Sequence, residues 1–298
     1  MLSHAEGGAA WRATARRAED LGYAVLLVVD HLGDQLAPVP ALMAAADATT
    51  RLRIGSFVFS NDYRNPVLLA KELASLDVLS GGRLEIGLGA GWMRSDYEKL
   101  GISYDPPAVR VERLIEATRL MQRLFAEDEV DHRGRHYTVK VGLRPRPLQS
   151  PRPPFMIGGG GPRIQAFAAQ AADIVALAPQ VDAGGRPKLD TLSAGFIERR
   201  VASIREIAGP RFASLELNAI VFDAAVTSDR RSIAARIAGV LKGAVAGSLE
   251  TPYFLYGTRS EIVARLRAQR DRLGISYLAL PGSVMEEFAP VVAELAGT

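Results

Sequence analysis

Hydrophobic positions along the chain switch period in a regular way. Residues 9–21 carry apolar side chains at helical spacing and stop at Gly22, and residues 23–29 (YAVLLVV) follow as an unbroken apolar run. Such a run, without polar alternation, suits a strand covered on both faces. The succession recurs as helix 39–49, strand 53–59 (RIGSFVF), helix 66–79 and strand 84–88. Asn65-Pro66 is a helix start, because the asparagine side chain accepts the first free N–H groups and proline tolerates the first helical position. Strand starts near 24, 53 and 84 lie roughly thirty residues apart, the pitch of βα units that build a parallel sheet.

Helix 109–125 has Val111, Leu114, Ile115, Met121, Leu124 and Phe125 on one face. An excursion over 127–153 then interrupts the rhythm, with a hairpin of 130–133 and 136–139 about Gly134 and a proline-rich arm; so long a detour is usually functional. Strand 155–157, a helix ending at 172, strand 174–178, a loop at 179–188 containing Gly184-Gly185, helix 191–208, strand 215–222 and helix 229–240 follow. Thr258 and Glu261 form a capping box for a helix to 273. Gly274 ends it before strand 277–280, and a last helix covers 284–295. Seven strands alternate with helices, whereas a (β/α)8 barrel has eight. The expected fold is an α/β, TIM-like barrel whose first strand is missing from the amino terminus, as one domain over 1–298 with insertions at about 127–153 and 179–190. An open doubly wound sheet is the alternative, although nothing in the pattern reverses the helices midway.

Composition narrows the chemistry. The 298 residues are 48% hydrophobic and 23% charged and include no cysteine, which excludes disulfides, thiolate metal sites and a cysteine nucleophile. No apolar run reaches membrane-spanning length and no leader pattern opens the chain, so a cytoplasmic protein is expected. A net charge of +3, with basic residues dispersed, argues against nucleic acid as a partner.

In a barrel the loops at the carboxyl ends of the strands share the catalytic face. Asp30-His31, residues 60–64, 89–97 and 158–163, and Ala178-Pro179 all fall there. Gly158, Gly159, Gly160 and Gly161 free four successive peptides to turn N–H groups toward an anion, the following helix adds its positive end, and Arg163 adds charge. A phosphate site is the reading, with a plain tight turn as the alternative. The stretch lacks the Gly-Lys-Ser/Thr of a nucleotide P-loop, and Gly87-x-Gly89-x-Gly91 is no dinucleotide fingerprint because the next helix is expected only near residue 107. His31 is a candidate proton donor or acceptor, or a structural histidine. No histidine pair has metal-ligand spacing on one element, so no metal is expected. Residues 56–60 end a strand that reads by pattern as plain core or, with a bulge at Gly55 and Ser56, as a backbone support for a flat ring, and Trp92 and Tyr97 either line the pocket or close the barrel mouth.

The segments LVVDH (27–31), GSFVFSNDYRNPVLLAKELASLDVLSGGRLEIGLGAGW (55–92), FMIGGGGPR (155–163), AADIV (171–175) and LYGTRSEIVARL (255–266) resemble the luciferase-like monooxygenase superfamily, most of all its probable coenzyme F420-dependent oxidoreductases. The resemblance covers nearly the whole chain in order. It implies a TIM-like barrel with deazaflavin or flavin across the carboxyl face, Asp30 and His31 beside the ring, and a backbone bulge at Ser56, Phe57 and Val58, often with a non-proline cis peptide. Gly89, Ala90 and Gly91 would pass close to the cofactor, and Gly158–Gly161 with Arg163 would hold its phosphate; Ser60, Tyr97 and Ala178 complete the candidate set. The activity implied is hydride transfer between coenzyme F420 and a small organic substrate, with His31 handling the proton. The alternatives are an FMN-dependent monooxygenase using dioxygen and a degenerate, non-catalytic flavin-binding barrel. Loops 127–153, 179–188 and 243–256 are expected to shape the substrate pocket, and apolar outer helices suggest a homodimer.

Overall fold

In the computed structural model, which describes residues 7–182, 187–241 and 250–297, the chain enters on helix α1 (Gly8–Asp20) and reaches strand β1 (Val25–Val28) only afterwards. Among the described residues no strand precedes α1. The chain divides into two units, one of Leu2–Glu19 with Val25–Gly158 and one chiefly of Asp20–Ala24 with Gly159–Thr298.

The first unit continues through α2 (Pro38–Ala48), β2 (Arg53–Ser56), β3 (Phe59–Ser60), α3 (Pro66–Leu79), β4 (Leu84–Gly89), α4 (Arg94–Leu100), α5 (Pro107–Ala126), the hairpin β5 (Val130–Arg133) and β6 (Thr138–Val141), and β7 (Phe155–Gly158). Its strands are parallel in the order β1-β2-β4-β7, and β3 pairs with β4 beyond the end of β2. Every residue of β4 is buried, as the unbroken apolar run requires of a strand covered on both faces. Asn65 caps α3, its Oδ1 accepting from Val67 N at 2.9 Å. At the base, Arg83 donates to Ala46 O at 2.8 Å, Leu52 O at 3.1 Å and Ser80 O at 2.6 Å, tying the ends of α2 and α3 to β2. Fully buried Asp77 accepts from Leu148 N and Gln149 Nε2 at 2.7 Å and Gln149 N at 3.0 Å, which anchors the proline-rich arm.

Three expectations are corrected here. The strand over 53–59 is two strands, broken at the Phe57–Val58 peptide, which is cis, the non-proline cis bond that the family resemblance implied. The aromatic stretch after Gly91 is not loop as far as residue 107, because α4 starts at Arg94. The hairpin pairs 130–133 with 138–141, Arg133 opposite Thr138, so His136 lies in its turn. The broken strand fits because its neighbour lacks side chains at the contact. A Cβ on Gly87 would lie 1.9 Å from Ser56 O, and one on Gly89 would lie 2.6 Å from Val58 Cγ2.

The second unit comprises α6 (Pro162–Ala171), β8 (Ile174–Leu177), α7 (Ala194–Ala208), β9 (Glu216–Ile220), β10 (Asp223–Val226), α8 (Arg230–Leu241), β11 (Phe254–Gly257), α9 (Arg259–Leu273), β12 (Ile275–Ala279) and α10 (Met285–Leu295). Parallel β8-β9-β12 form one sheet, and β10 pairs parallel with β11. The capping box at Thr258 and Glu261 is formed, and Gly274 closes α9 in the left-handed region at φ 78°. Val221, Leu255, Ile262, Val263, Phe288 and Val291 make the core under β10, α9 and α10. The loop expected over 243–256 is corrected in part: residues 254–257 are strand, all four buried. The remainder of that loop up to residue 249, and Gly184-Gly185, lie outside the described residues.

Gly87→Ala should lower unfolding stability by at least about 2 kcal/mol, since backbone and not a flexible side chain blocks the new methyl. Gly239→Ala, in α8 with nothing within 4 Å of the added Cβ, should raise it by about 0.5–1 kcal/mol. Urea titrations of the two variants test the contrast.

Candidate active site

In parallel strands all carboxyl ends face one edge. In the first unit that edge gathers Asp30 and His31 after β1, Ser56 to Ser60 at the β2–β3 break, Gly89, Ala90 and Gly91 after β4, and Gly158 at the end of β7. Asp30 is buried and committed: Arg64 Nη1 and Nη2 donate to its Oδ2 and Oδ1 at 2.7 and 3.0 Å, and Ser60 N donates to Oδ2 at 2.9 Å. A bidentate guanidinium with a backbone amide fixes a carboxylate firmly. Asp30 thus ties the end of β1 to β3.

His31 is held differently. Its Nδ1 lies 2.8 Å from Oδ2 of Asp96 on α4, a carboxylate only 1% exposed. The hydroxyl of Tyr63 and the amide of Leu32 also donate to Asp96, at 3.3 and 3.4 Å. A carboxylate beside Nδ1 favours the tautomer with the proton on that nitrogen, and Nε2 makes no hydrogen bond among the described residues. The indole of Trp92 meets the imidazole edge-on, 5.5 Å between centroids.

Tyr97 is fully buried and supports the glycine corner from beneath, donating to Asp62 Oδ2 at 3.0 Å and approaching Ala90 O at 3.2 Å. A Cβ on Gly91, whose φ is +71°, would lie 2.1 Å from the Tyr97 hydroxyl oxygen and 2.8 Å from Ser60 Oγ. Arg110 donates to Gly91 O and, at 3.2 Å, to Ala90 O. Arg113 pairs with Asp62 at 3.0 Å and with Asp105. The hairpin reaches this network through Tyr137, whose hydroxyl accepts from Asn61 Nδ2 at 3.2 Å. Glu116 secures the hairpin turn by accepting from His132 Nε2 and the amides of residues 135–137. Ser56 Oγ, completely buried, has no hydrogen-bond partner among the described residues.

In the second unit the remaining glycines form a corner with its carbonyls tied back. Gly159 O accepts from Gln165 Nε2, Gly160 O from Arg200 Nη2 at 2.9 Å, and Gly161 O from Gln165 N at 3.1 Å. The amides of Gly160 and Gly161 make no hydrogen bond among the described residues. Gly160 packs on the loop after half-buried Ala178, where a Cβ would lie 2.3 Å from Pro179 O. Arg163 is exposed in the first turn of α6.

Sequence reasoning singled out Asp30, His31, Ser56, Ser60 and the 89–91 corner, and these share one edge of one unit. It passed over Asp96, Tyr63, Arg64, Arg110 and Arg113 as individual residues, along with Gln165 and Arg200. Reading 94–100 as a helix would have set Asp96 inside its first turn, facing back over the strand ends. Among the described residues no group of three or more His, Cys, Asp or Glu is placed to hold a metal ion, and no helix is long and apolar enough to cross a membrane.

Parallel βα units with polar and glycine-rich ends on one edge define an α/β, TIM-like protein of the bacterial luciferase type. The chain matches the luciferase-like monooxygenase family over residues 2–236 and belongs to it. It is 30% identical over 168 residues to an F420-dependent glucose-6-phosphate dehydrogenase of Amycolatopsis mediterranei, a match covering 53% of this chain and 50% of that protein. The chain spans about half the length of the curated relatives it matches. Among solved structures it is similar in fold to the monooxygenase RslO1 from Streptomyces bottropensis, at TM-score 0.75 and 22% identity over 97% of this chain and 94% of that one. An F420-dependent secondary alcohol dehydrogenase in complex with an F420-acetone adduct also has TM-score 0.75, at 20% identity, covering 95% and 94%.

Burial, reinforced by the Asp62 carboxylate, pushes the Tyr97 hydroxyl above the ordinary tyrosine range, and burial with the Asp96 charge does the same to Tyr63. A group whose folded pKa exceeds its unfolded one stabilises the fold fully below the unfolded value, about 10 for tyrosine, and loses that contribution as pH rises through the folded value. Thermal unfolding midpoints should therefore decline above about pH 10, and less steeply in Tyr97→Phe. Equal slopes in the two proteins would assign the alkaline loss elsewhere.

Proposed function

We propose that this protein is a coenzyme F420-dependent oxidoreductase that moves a hydride between the deazaflavin ring and a small organic substrate, with His31 as the proton-transferring group. The single observation that carries the reading is the His31–Asp96 pair at the strand ends, which leaves Nε2 as the free nitrogen. The similarity to F420-dependent glucose-6-phosphate dehydrogenases supports the choice of cofactor. When bound, the deazaflavin supplies a carbon centre that accepts or gives hydride and has no taste for oxygen.

The residues present fit such a group. Free amides at Gly160 and Gly161 suit a phosphate, with Arg163 adding charge. The orphaned Ser56 Oγ suits a polar edge of a ring backed by Ser56, Phe57 and Val58, because a buried hydroxyl without a partner is unfavourable until something meets it. Gly89, Ala90 and Gly91 allow close approach, while Ser60 and Tyr97 act beneath them. Ala178 borders the phosphate corner. Asp30 acts through Arg64 and Ser60 as a positioning residue. On this reading His31 Nε2 takes the hydroxyl proton as the substrate carbon is oxidised, Asp96 holds the imidazole in register, and the reverse direction returns the same proton.

Titration of the purified protein with coenzyme F420 and with FMN should give saturable binding of F420 and weaker or no binding of FMN; preferential FMN binding with oxygen consumption would favour the monooxygenase. His31→Ala should keep F420 affinity within about threefold and slow F420 reduction by about 10²–10⁴, the usual share of a general acid-base. Unimpaired reduction would remove His31 from the mechanism. Arg200→Met, which releases Gly160 O, should weaken binding of either cofactor by about tenfold.

A further inference from the structure

Two exposed apolar residues accompany His31: Trp92 meets its ring and Leu32 follows it in the chain. Trp92 is 42% exposed and Leu32 is 39% exposed, both beside the imidazole in space or sequence. Their exposure is not slack, because the backbone beneath each is pinned. Trp92 O accepts from the Tyr104 hydroxyl at 2.9 Å, Leu32 N donates to Asp96, and Leu32 O accepts from Lys99 Nζ at 2.8 Å. Two large hydrophobic groups are thus held out into solvent next to the one imidazole that Asp96 orients. Exposed apolar surface beside convergent polar groups is the usual lining of a small-molecule site.

Among the described residues, the cations of the first unit's rim are engaged. Arg64 is bidentate on Asp30, Arg113 is paired with Asp62 and Asp105, and Arg110 is spent on the carbonyls of Ala90, Gly91 and Asp105. Lys99 is on Leu32 O, and Arg94 lies 4.5 Å over the ring of Tyr104. A phosphorylated substrate needs a guanidinium or ammonium group that can turn to it. This rim offers an indole and an isobutyl group instead.

The geometry points to an uncharged alcohol or carbonyl compound with an apolar body as the substrate, its oxygen on His31 Nε2 and its hydrocarbon against Trp92 and Leu32. This rests on the reading of His31 given above. A sugar phosphate is disfavoured, even though relatives with that activity share about half the chain.

The two tryptophans provide a direct assay, because Trp11 is 1% exposed while Trp92 is open. Cyclohexanone titrated into the wild-type protein saturated with oxidised F420, and into the protein alone, should change the indole emission saturably, beyond its effect on free N-acetyltryptophanamide. Glucose 6-phosphate should not. Leu32→Asn, a change at an exposed position, should raise the cyclohexanone Kd about five- to tenfold while leaving F420 affinity and the melting temperature in place. A saturable response to glucose 6-phosphate but not to cyclohexanone overturns the inference, as does no response to either or an unchanged Kd in Leu32→Asn. Failure of the cofactor reading is distinguishable, since it would appear as absent F420 binding while the cyclohexanone response of the protein alone persists.

Discussion

Strand β4 lacks a side chain at the two places where a neighbouring strand end leans on it, and the first unit's functional edge follows from that. With hydrogen at Gly87 and Gly89, the backbone of Ser56 and the side chain of Val58 come nearer than any Cβ would permit. The break between β2 and β3 can then sit against the sheet, which brings Ser60 N to the Asp30 carboxylate. Asp30, gripped from its other side by Arg64, fixes the end of β1. His31 is the next residue along. A packing constraint in the middle of the sheet thus sets the orientation of an imidazole at its rim.

The two glycine corners share a second device. Arg110 and Tyr97 draw back the carbonyls of Ala90 and Gly91, and Gln165 and Arg200 do the same to Gly159 and Gly160. A peptide whose carbonyl is engaged inward turns its N–H outward, so each corner presents donors and hides acceptors. Such a surface favours anions and electron-rich ring edges without placing a full positive charge there. The glycines permit the turn, and the arginines and the glutamine decide which way it faces.

The fold was legible to the extent that its signals were long. Runs such as 23–29 and helices of three or more turns announced themselves, and caps at Asn65, Thr258 and Gly274 formed as local chemistry demanded. Short elements were lost. Helix α4 has seven residues, too few to display a helical period, so the aspartate that orients His31 was read as part of a loop. Strands β3 and β11, of two and four residues, carry no alternation to detect. The candidate site was visible as residue types at strand ends. Its pairings were not, because Asp96 is 65 positions from His31 and Arg200 is 40 from Gly160. Tyr97, expected at the pocket, lies fully buried because its hydroxyl serves Asp62 and not open solvent.

Three nearly buried carboxylates lie along this edge, and the way each is satisfied separates scaffold from chemistry. Asp30 and Asp62 face guanidinium groups, each locked in a charge-assisted pair. Asp96 is served by a hydroxyl, a backbone amide and an imidazole. A carboxylate with 1% exposure cannot draw compensation from water, so it depends on these three partners. The same edge thus locks two acids with arginine and holds the third on the imidazole of His31, whose ring meets the indole of Trp92 edge-on.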